Sequence, residues 1–276
     1  MKNIYSGVTV DTFEGMPPSI LLGGIKLLGL EFIEINKTVF TETDKFAAKL
    51  GKIKTGFHLP IISESGWDLS CPEHQPKIDR LITNLNINKE RLNIQHVISH
   101  PYEPDHNVPK LQTSISFLVE NLKRIELPIY LENTPCCSPD KFKEMYRDFG
   151  KELNGKLNGM CYDAPHLYIT GYDLFDFYRE MENEIGAIHL SDCEEKKDRH
   201  YTFGMGHLPI PKILQMIKNS SFNGYITLEI KPHSLQEIDS YINSYLTTLK
   251  YMNYAKYLKT HIRMFFLRPL IQKFIQ

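Results

Sequence analysis

No stretch of the chain holds about 18 consecutive apolar residues, the length that reads as a membrane-spanning helix, so no span is expected. Neither GxGxxG nor GxxxxGK[ST] occurs. That removes the glycine-rich phosphate turns that usually mark nucleotide-binding open sheets. No CxxC pair is present, and the five cysteines (Cys71, Cys136, Cys137, Cys161 and Cys193) are odd in number, with two of them adjacent. The opening MKNIYSGVTVDTFEG reads as a first strand rather than a secretion signal. Together these features predict reduced thiols and a cytoplasmic protein. Charge of one sign is also missing: 32 Lys and Arg stand against 33 Asp and Glu, for a net charge of −1. Such a balance exerts no long-range pull on nucleic acid or anionic membrane, although a local patch is still allowed. Long linkers, low-complexity tracts and internal repeats are absent.

What is present is alternation. Short apolar runs read as strands at 4–10, 30–35, 55–59, 94–100, 129–132, 159–163, 186–190 and 225–230. Amphipathic segments lie between them at 17–28, 76–85, 109–125, 139–149, 172–182 and 211–218. Several of these begin with proline, which is tolerated in a helix's first turn because the N–H it lacks would have no partner there. Strand and helix alternating eight times imply a parallel sheet. Over 276 residues the pattern predicts an α/β fold, a single-domain (β/α)8 TIM barrel over 1–255. Residues 256–276 form a basic amphipathic tail beyond it. That tail is expected to pack on the barrel or a neighbouring subunit, with a membrane surface as the rival and a break or kink at Pro269.

Ionisable residues gather at the strand ends. His58, His100, Glu132, Asp163, His189 and Glu229 each close or immediately follow a predicted strand, and in a barrel those ends form the rim where active sites are built. Counting back by two gives Gly56, Tyr130, Cys161, Ala187 and Thr227 as interior-facing residues. The opposite parity gives Phe57, Leu131, Tyr162, Ile188 and Leu228 facing the helices. Loops add His166, three residues after Asp163, and the pair Asp198 and His200. Asp192 is expected to orient its loop, and His96 to line the barrel. A mononuclear site needs three or four protein ligands, so nine imidazoles and carboxylates point to two or three ions. The donor set suits Zn²⁺ first, with Mn²⁺ or Fe²⁺ possible on chemistry. Glu132 and Glu229 are the candidate catalytic carboxylates. Asn133, Arg199 and Lys231 are candidate substrate contacts.

The segments LENTP around Glu132, GMCYDAPHLYITGYDL from Gly159 and HLSD…DRHYTFGMGH from His189 to His207 resemble the xylose isomerase-like TIM barrels. This superfamily holds sugar isomerases and epimerases together with the endonuclease IV class of apurinic-site nucleases (AP endonuclease family 2). The resemblance runs from Val8 to about Pro232. It implies that the nine residues hold three zinc ions, with Glu132 bridging two of them. The loop HLPIISESGWDLS departs from the DNA-holding segment of those nucleases, DAPH stands for their DTCH-like core, and LEIKP stands for LET.

Two readings follow. One is a metal-dependent hydrolase of a phosphodiester or phosphate ester, acting on a small phosphorylated substrate or, despite the altered loops, on DNA. The other is a divalent-metal sugar (phosphate) isomerase or epimerase using only Glu132, Asp163, His189 and Glu229. A barrel that merely binds metal is a third.

Overall fold

The computed structural model of the protein describes residues 2–103, 108 and 111–275. Its strands are β1 (Tyr5–Val10), β2 (Phe32–Ile35), β3 (Lys54–His58), β4 (Ile94–Ser99), β5 (Ile129–Glu132), β6 (Leu157–Asp163), β7 (Ile185–Leu190), β8 (Asp192–Glu194), β9 (Lys197–Tyr201) and β10 (Tyr225–Leu228). Eight of them close into a parallel barrel in the order β1-β10-β7-β6-β5-β4-β3-β2. The remaining two, β8 and β9, pair as an antiparallel hairpin outside it. The sequence pattern predicted all eight barrel strands but read the hairpin as a return loop.

The helices are α1 (Pro18–Ile25), α2 (Thr43–Leu50), α3 (Ile62–Ser65), α4 (Gln75–Asn88), α5 (Ile115–Lys123), α6 (Pro139–Glu152), α7 (Ala164–Ile169), α8 (Leu174–Met181), α9 (Ile210–Asn219), α10 (Ile238–Met252) and α11 (Tyr254–Ile275). Their starts follow local chemistry. Ser138 accepts a hydrogen bond from Lys141 N ahead of Pro139, and Asp173 accepts from Phe175 N and Asp176 N, satisfying N–H groups that have no partner inside the helix. The helix start expected at Pro109 lies outside the described residues. The helix itself runs from Ile115, where the Ser114 hydroxyl caps it.

Alternation along the strands divides the core in two. Phe57, Leu131, Tyr162 and Ile188 face the helices and belong to the main apolar cluster. Ile98, Tyr130, Cys161 and Ala187, with Tyr225 against them, form a separate plug inside the barrel. Each large side chain buried this way contributes about 1.5–3 kcal/mol. His96 lies in the barrel interior, against Phe32, Tyr130 and Tyr225. Burial and the charge of His189 push its pKa down to about 3, so it is a neutral filler of the barrel, as its position in the sequence predicted.

The helix α11 packs back onto the barrel. Met264 and Thr260 are buried, Thr260 Oγ1 donates to Leu28 O at 3.2 Å, and Lys256 pairs with Glu31 at 3.1 Å. Of the break or kink expected at Pro269, the break does not occur, since the helix continues through it; the ring removes a single N–H from the intrahelical ladder. Among the described residues no helix is long and apolar enough to cross a membrane.

Candidate metal centre

The six strand-end residues converge because parallel strands in register carry their last side chains to one rim. Asp163 is the Cα partner of His189 across β6 and β7, and Thr227 is that of His189 across β10 and β7. Asp163 has a second role: its carboxylate accepts from His166 N at 2.6 Å and caps α7. The three-residue spacing of Asp163 and His166 is thus a cap that turns the histidine back over the rim. The hairpin carries Asp198 and His200 to the same place. His200 has φ +49°, a left-handed conformation that costs on the order of 1 kcal/mol and is found where a side chain must be aimed. Below it, Asp192 accepts from Gly204 N at 2.8 Å and Leu208 N at 2.9 Å, and so holds the loop as expected. A Cβ on Gly206 would lie 2.4 Å from Cys193 O, so only glycine fits that turn.

The hydrogen bonds at the back of the imidazoles decide which nitrogen each presents. Three donate from Nδ1 to backbone carbonyls: His58 to Leu59 O at 2.8 Å, His166 to Asn133 O at 2.9 Å and His200 to Glu229 O at 2.9 Å. His100 turns Nδ1 to Glu103 Oε1 at 3.3 Å. A carbonyl can only accept, so the nitrogen facing it keeps its proton, and the other nitrogen is the one able to bind a ligand. In these four residues that is Nε2. His189 is reversed, with Nε2 donating to Glu34 Oε2 at 3.1 Å and Nδ1 facing the site.

The presented nitrogens fall into three groups. His58 Nε2 and His100 Nε2 lie 3.2 and 3.5 Å from Glu132 Oε2. His189 Nδ1 lies 3.5 Å from both Glu132 Oε2 and Glu229 Oε2 and 3.9 Å from Asp163 Oδ2. His166 Nε2 and His200 Nε2 lie 3.3 and 3.1 Å from Asp198 Oδ2. His166 Nδ1 is also 3.2 Å from Glu132 Oε1, which links the last group to the others. In the first two groups, His58–His100–Glu132 and Glu132–Asp163–His189–Glu229, candidate ligand atoms lie within 4.8 Å of one another. Glu132 belongs to both. Glu132 Oε1, His189 Nδ1 and Asp198 Oδ1 are buried without a hydrogen-bond partner. Leaving such atoms unsatisfied costs about 1–3 kcal/mol each; cations would satisfy the oxygens directly, and His189 Nδ1 once its proton is released.

Charge runs the same way. Burial alone would pull the pKa of His100 down, but the charge of Glu132 and the contact with Glu103 hold it at about 10. Burial opposes ionisation of Glu132 too, and the charges of His189 and His100 override it, keeping the carboxyl well below its ordinary value. Asp163 is pushed up to about 7 by burial, against the charge of His166. The metal-free protein therefore holds protons where cations would sit. An imidazole whose folded pKa is raised stabilises the fold fully below pH 6.5 and loses that contribution as pH climbs through the raised value. Expected, then, is a metal-free melting temperature that falls from pH 7 to 10, and a stabilisation by an added divalent metal ion that grows over the same window because bound ions would displace protons. Thermal melts with and without chelator across that range check it; a pH-independent difference would contradict it.

The expected substrate contacts are placed differently from one another. Asn133 is buried, and its amide bridges β5 and β6, donating to Asp163 O at 2.8 Å and accepting from Asp163 N at 2.9 Å. Arg199 is exposed and lies outside the cavity beside the site. Lys231 lines that cavity and pairs with Glu64. The cavity has a volume of about 530 Å³ and opens against His58 and Glu229. Sequence reasoning missed it, along with Lys37 on its wall, whose ammonium lies 5.5 Å from the Trp67 ring and whose pKa is lowered by burial. Glu103 and Glu34 were missed as well. The readable signal for Glu34 was an acid in the middle of the apolar strand FIEI, on the parity that faces the barrel interior.

Comparison with known proteins bears on the barrel as a whole. The profile of the family described as xylose isomerase-like TIM barrel matches residues 25–252. A probable endonuclease 4 from Buchnera aphidicola subsp. Baizongia pistaciae is 26% identical over 174 residues, covering 54% of this chain and 62% of that protein. The chain thus spans less than two thirds of the length of that relative. Among solved structures, a D-tagatose 3-epimerase-like protein superposes with a TM-score of 0.64 at 18% identity, covering 90% of this chain and 97% of the other. An AP endonuclease of family 2 from Brucella melitensis gives 0.60 at 12% identity, covering 85% and 95%. At these identities the two structures attest the fold.

Proposed function

The chain belongs to the xylose isomerase-like TIM barrel family, and on that premise we propose that it is a metal-dependent hydrolase of a small phosphodiester or phosphate ester. One observation carries the reading: the His166–Asp198–His200 group, built outside the four-residue core that a single ion requires. Aldose–ketose chemistry, in which His166 would touch a sugar hydroxyl, leaves Asp198 and the His58–His100 pair without a task. The donor set of imidazole and carboxylate suits Zn²⁺. His58, His100 and Glu132 would hold one ion, Glu132, Asp163, His189 and Glu229 a second, and His166, Asp198 and His200 a third. Ions bound there would supply positive charge that acidifies water and offsets the charge developing on phosphate oxygens.

The chain's own groups do the rest. Glu132 balances the imidazoles that surround it. Glu229, part-exposed at the edge of the cavity, accepts the proton of an incoming water. Lys231 and Lys37 attract an anionic substrate into the cavity beside the rim. A cavity of about 530 Å³ fits a small ligand. That size favours a compact ester over duplex DNA, although the curated relative is named as an endonuclease. It also sustains the second reading, a sugar or sugar phosphate isomerase in which Glu132 and Glu229 relay a proton at the carbon beside the carbonyl.

Elemental analysis of protein purified without chelator, paired with assays on a chromogenic phosphodiester and on ketoses, separates the two. Two or three Zn²⁺ per chain with phosphodiester cleavage is the expected result. A single exchangeable ion with ketose interconversion overturns it.

A further inference from the structure

We infer that Glu34, which belongs to none of the three proposed ligand groups, is the positioning residue that makes His189 present Nδ1 rather than Nε2 to the site. The inference rests on the metal-centre reading for its consequence and on geometry alone for its cause. Glu34 is 1% exposed, inside the barrel on β2, and His189 is fully buried. Its Oε2 takes the His189 Nε2–H at 3.1 Å and the Thr227 hydroxyl, which donates at 3.1 Å. Gly56, its Cα partner on β3, adds no side chain there. The four other site histidines are all oriented through Nδ1, three by a backbone carbonyl and one by Glu103. His189 is turned the other way, its Nε2 meeting a side-chain carboxylate inside the barrel instead of a backbone carbonyl at the rim. A side-chain acceptor supplies the anchor here, and a carboxylate is a strong one.

The same bond satisfies one oxygen of a carboxylate in the barrel interior, while Glu34 Oε1 is buried without a hydrogen-bond partner. A buried charge needs a fixed partner, and Glu34 has two donors on one oxygen. A carboxylate behind a ligating imidazole fixes the ring and raises its basicity, and loss of such a partner weakens metal binding by about 10–100-fold.

The test uses ¹⁵N-histidine-labelled full-length protein, with zinc affinity measured by chelator competition. In the wild type, the His189 Nε2–H should give a slowly exchanging, downfield resonance both without metal and with Zn²⁺. E34A should lose that protection and bind one ion about 10–100-fold more weakly. E34Q keeps an acceptor oxygen, so it should retain the resonance and lose less affinity than E34A. T227V, which removes only the hydroxyl steadying the carboxylate, should shift both readouts slightly in the same direction and remains informative if E34A does not fold. An E34A protein with the protected proton and full affinity overturns the inference. So does an E34Q protein that loses an ion outright, because Glu34 would then be a ligand. Failure of the wild type to bind zinc would instead refute the metal-centre reading, while the metal-free resonance still tests Glu34.

Discussion

Replacing Glu132 with glutamine is expected to abolish phosphoester hydrolysis to within a thousandth of the wild-type rate or less, and to strip the protein of at least one ion. The side chain is fully buried. Its Oε2 lies 3.2 Å from His58 Nε2 and 3.5 Å from both His100 Nε2 and His189 Nδ1. Glutamine preserves the shape but removes the charge on which three imidazoles converge. It also turns an N–H₂ toward nitrogens or ions that need an acceptor. Breaking a buried, hydrogen-bonded charge network by removing one partner costs about 3–5 kcal/mol. Losing one preorganised electrostatic contact at a reacting centre separately lowers kcat by about 100–1000-fold. Loss of an ion held through Glu132 would add to it. The measurements are zinc per chain and kcat on a chromogenic phosphodiester, with circular dichroism to show that the barrel is intact. A folded E132Q protein with full zinc content and activity would remove Glu132 from the centre altogether.

Asp198→Asn is the second large effect, and it bears on the hydrolase reading specifically. Asp198 Oδ2 sits between His166 Nε2 at 3.3 Å and His200 Nε2 at 3.1 Å, while Oδ1 is buried without a partner. Burial opposes its charge, yet the hydrogen bonds from both imidazoles hold its carboxyl well below the ordinary range. The asparagine variant should lose one ion, keep those held through Glu132, and cleave the phosphodiester about 100–1000-fold more slowly, the loss typical when one preorganised electrostatic contact to a developing oxyanion is removed. An isomerase working through Glu132, Asp163, His189 and Glu229 would lose little. Unchanged phosphodiester cleavage in D198N, with one ion gone, would therefore sink the proposed role of the third group.

Much of this site was legible before any coordinates. A parallel strand in a barrel alternates interior and helix-facing residues, so local parity sorted Tyr130, Cys161 and Ala187 from Leu131, Tyr162 and Ile188, and the two apolar clusters divide along that line. The same alternation marked His58, Glu132, Asp163 and His189 as strand-end residues. The Asp163–His166 spacing is a helix cap, a device of four consecutive residues, and such devices survive in the sequence. The clamp made by Asn133 was not legible, because nothing local distinguishes an amide that joins two strand ends from one that meets a substrate.

The chain by itself determined the number and order of the barrel strands and the side of the barrel on which acids and imidazoles would gather, because hydrophobic period and capping act over a few residues. Tertiary structure alone decided which nitrogen each histidine offers, the pairing of Glu34 with His189 across 155 positions, the hairpin that delivers Asp198 and His200, and the passage of α11 through Pro269. Each of these depends on how the closed sheet sets distant strands side by side, or on packing against a remote surface. Closure is a cooperative property of all eight strands, so no window of the sequence contains it.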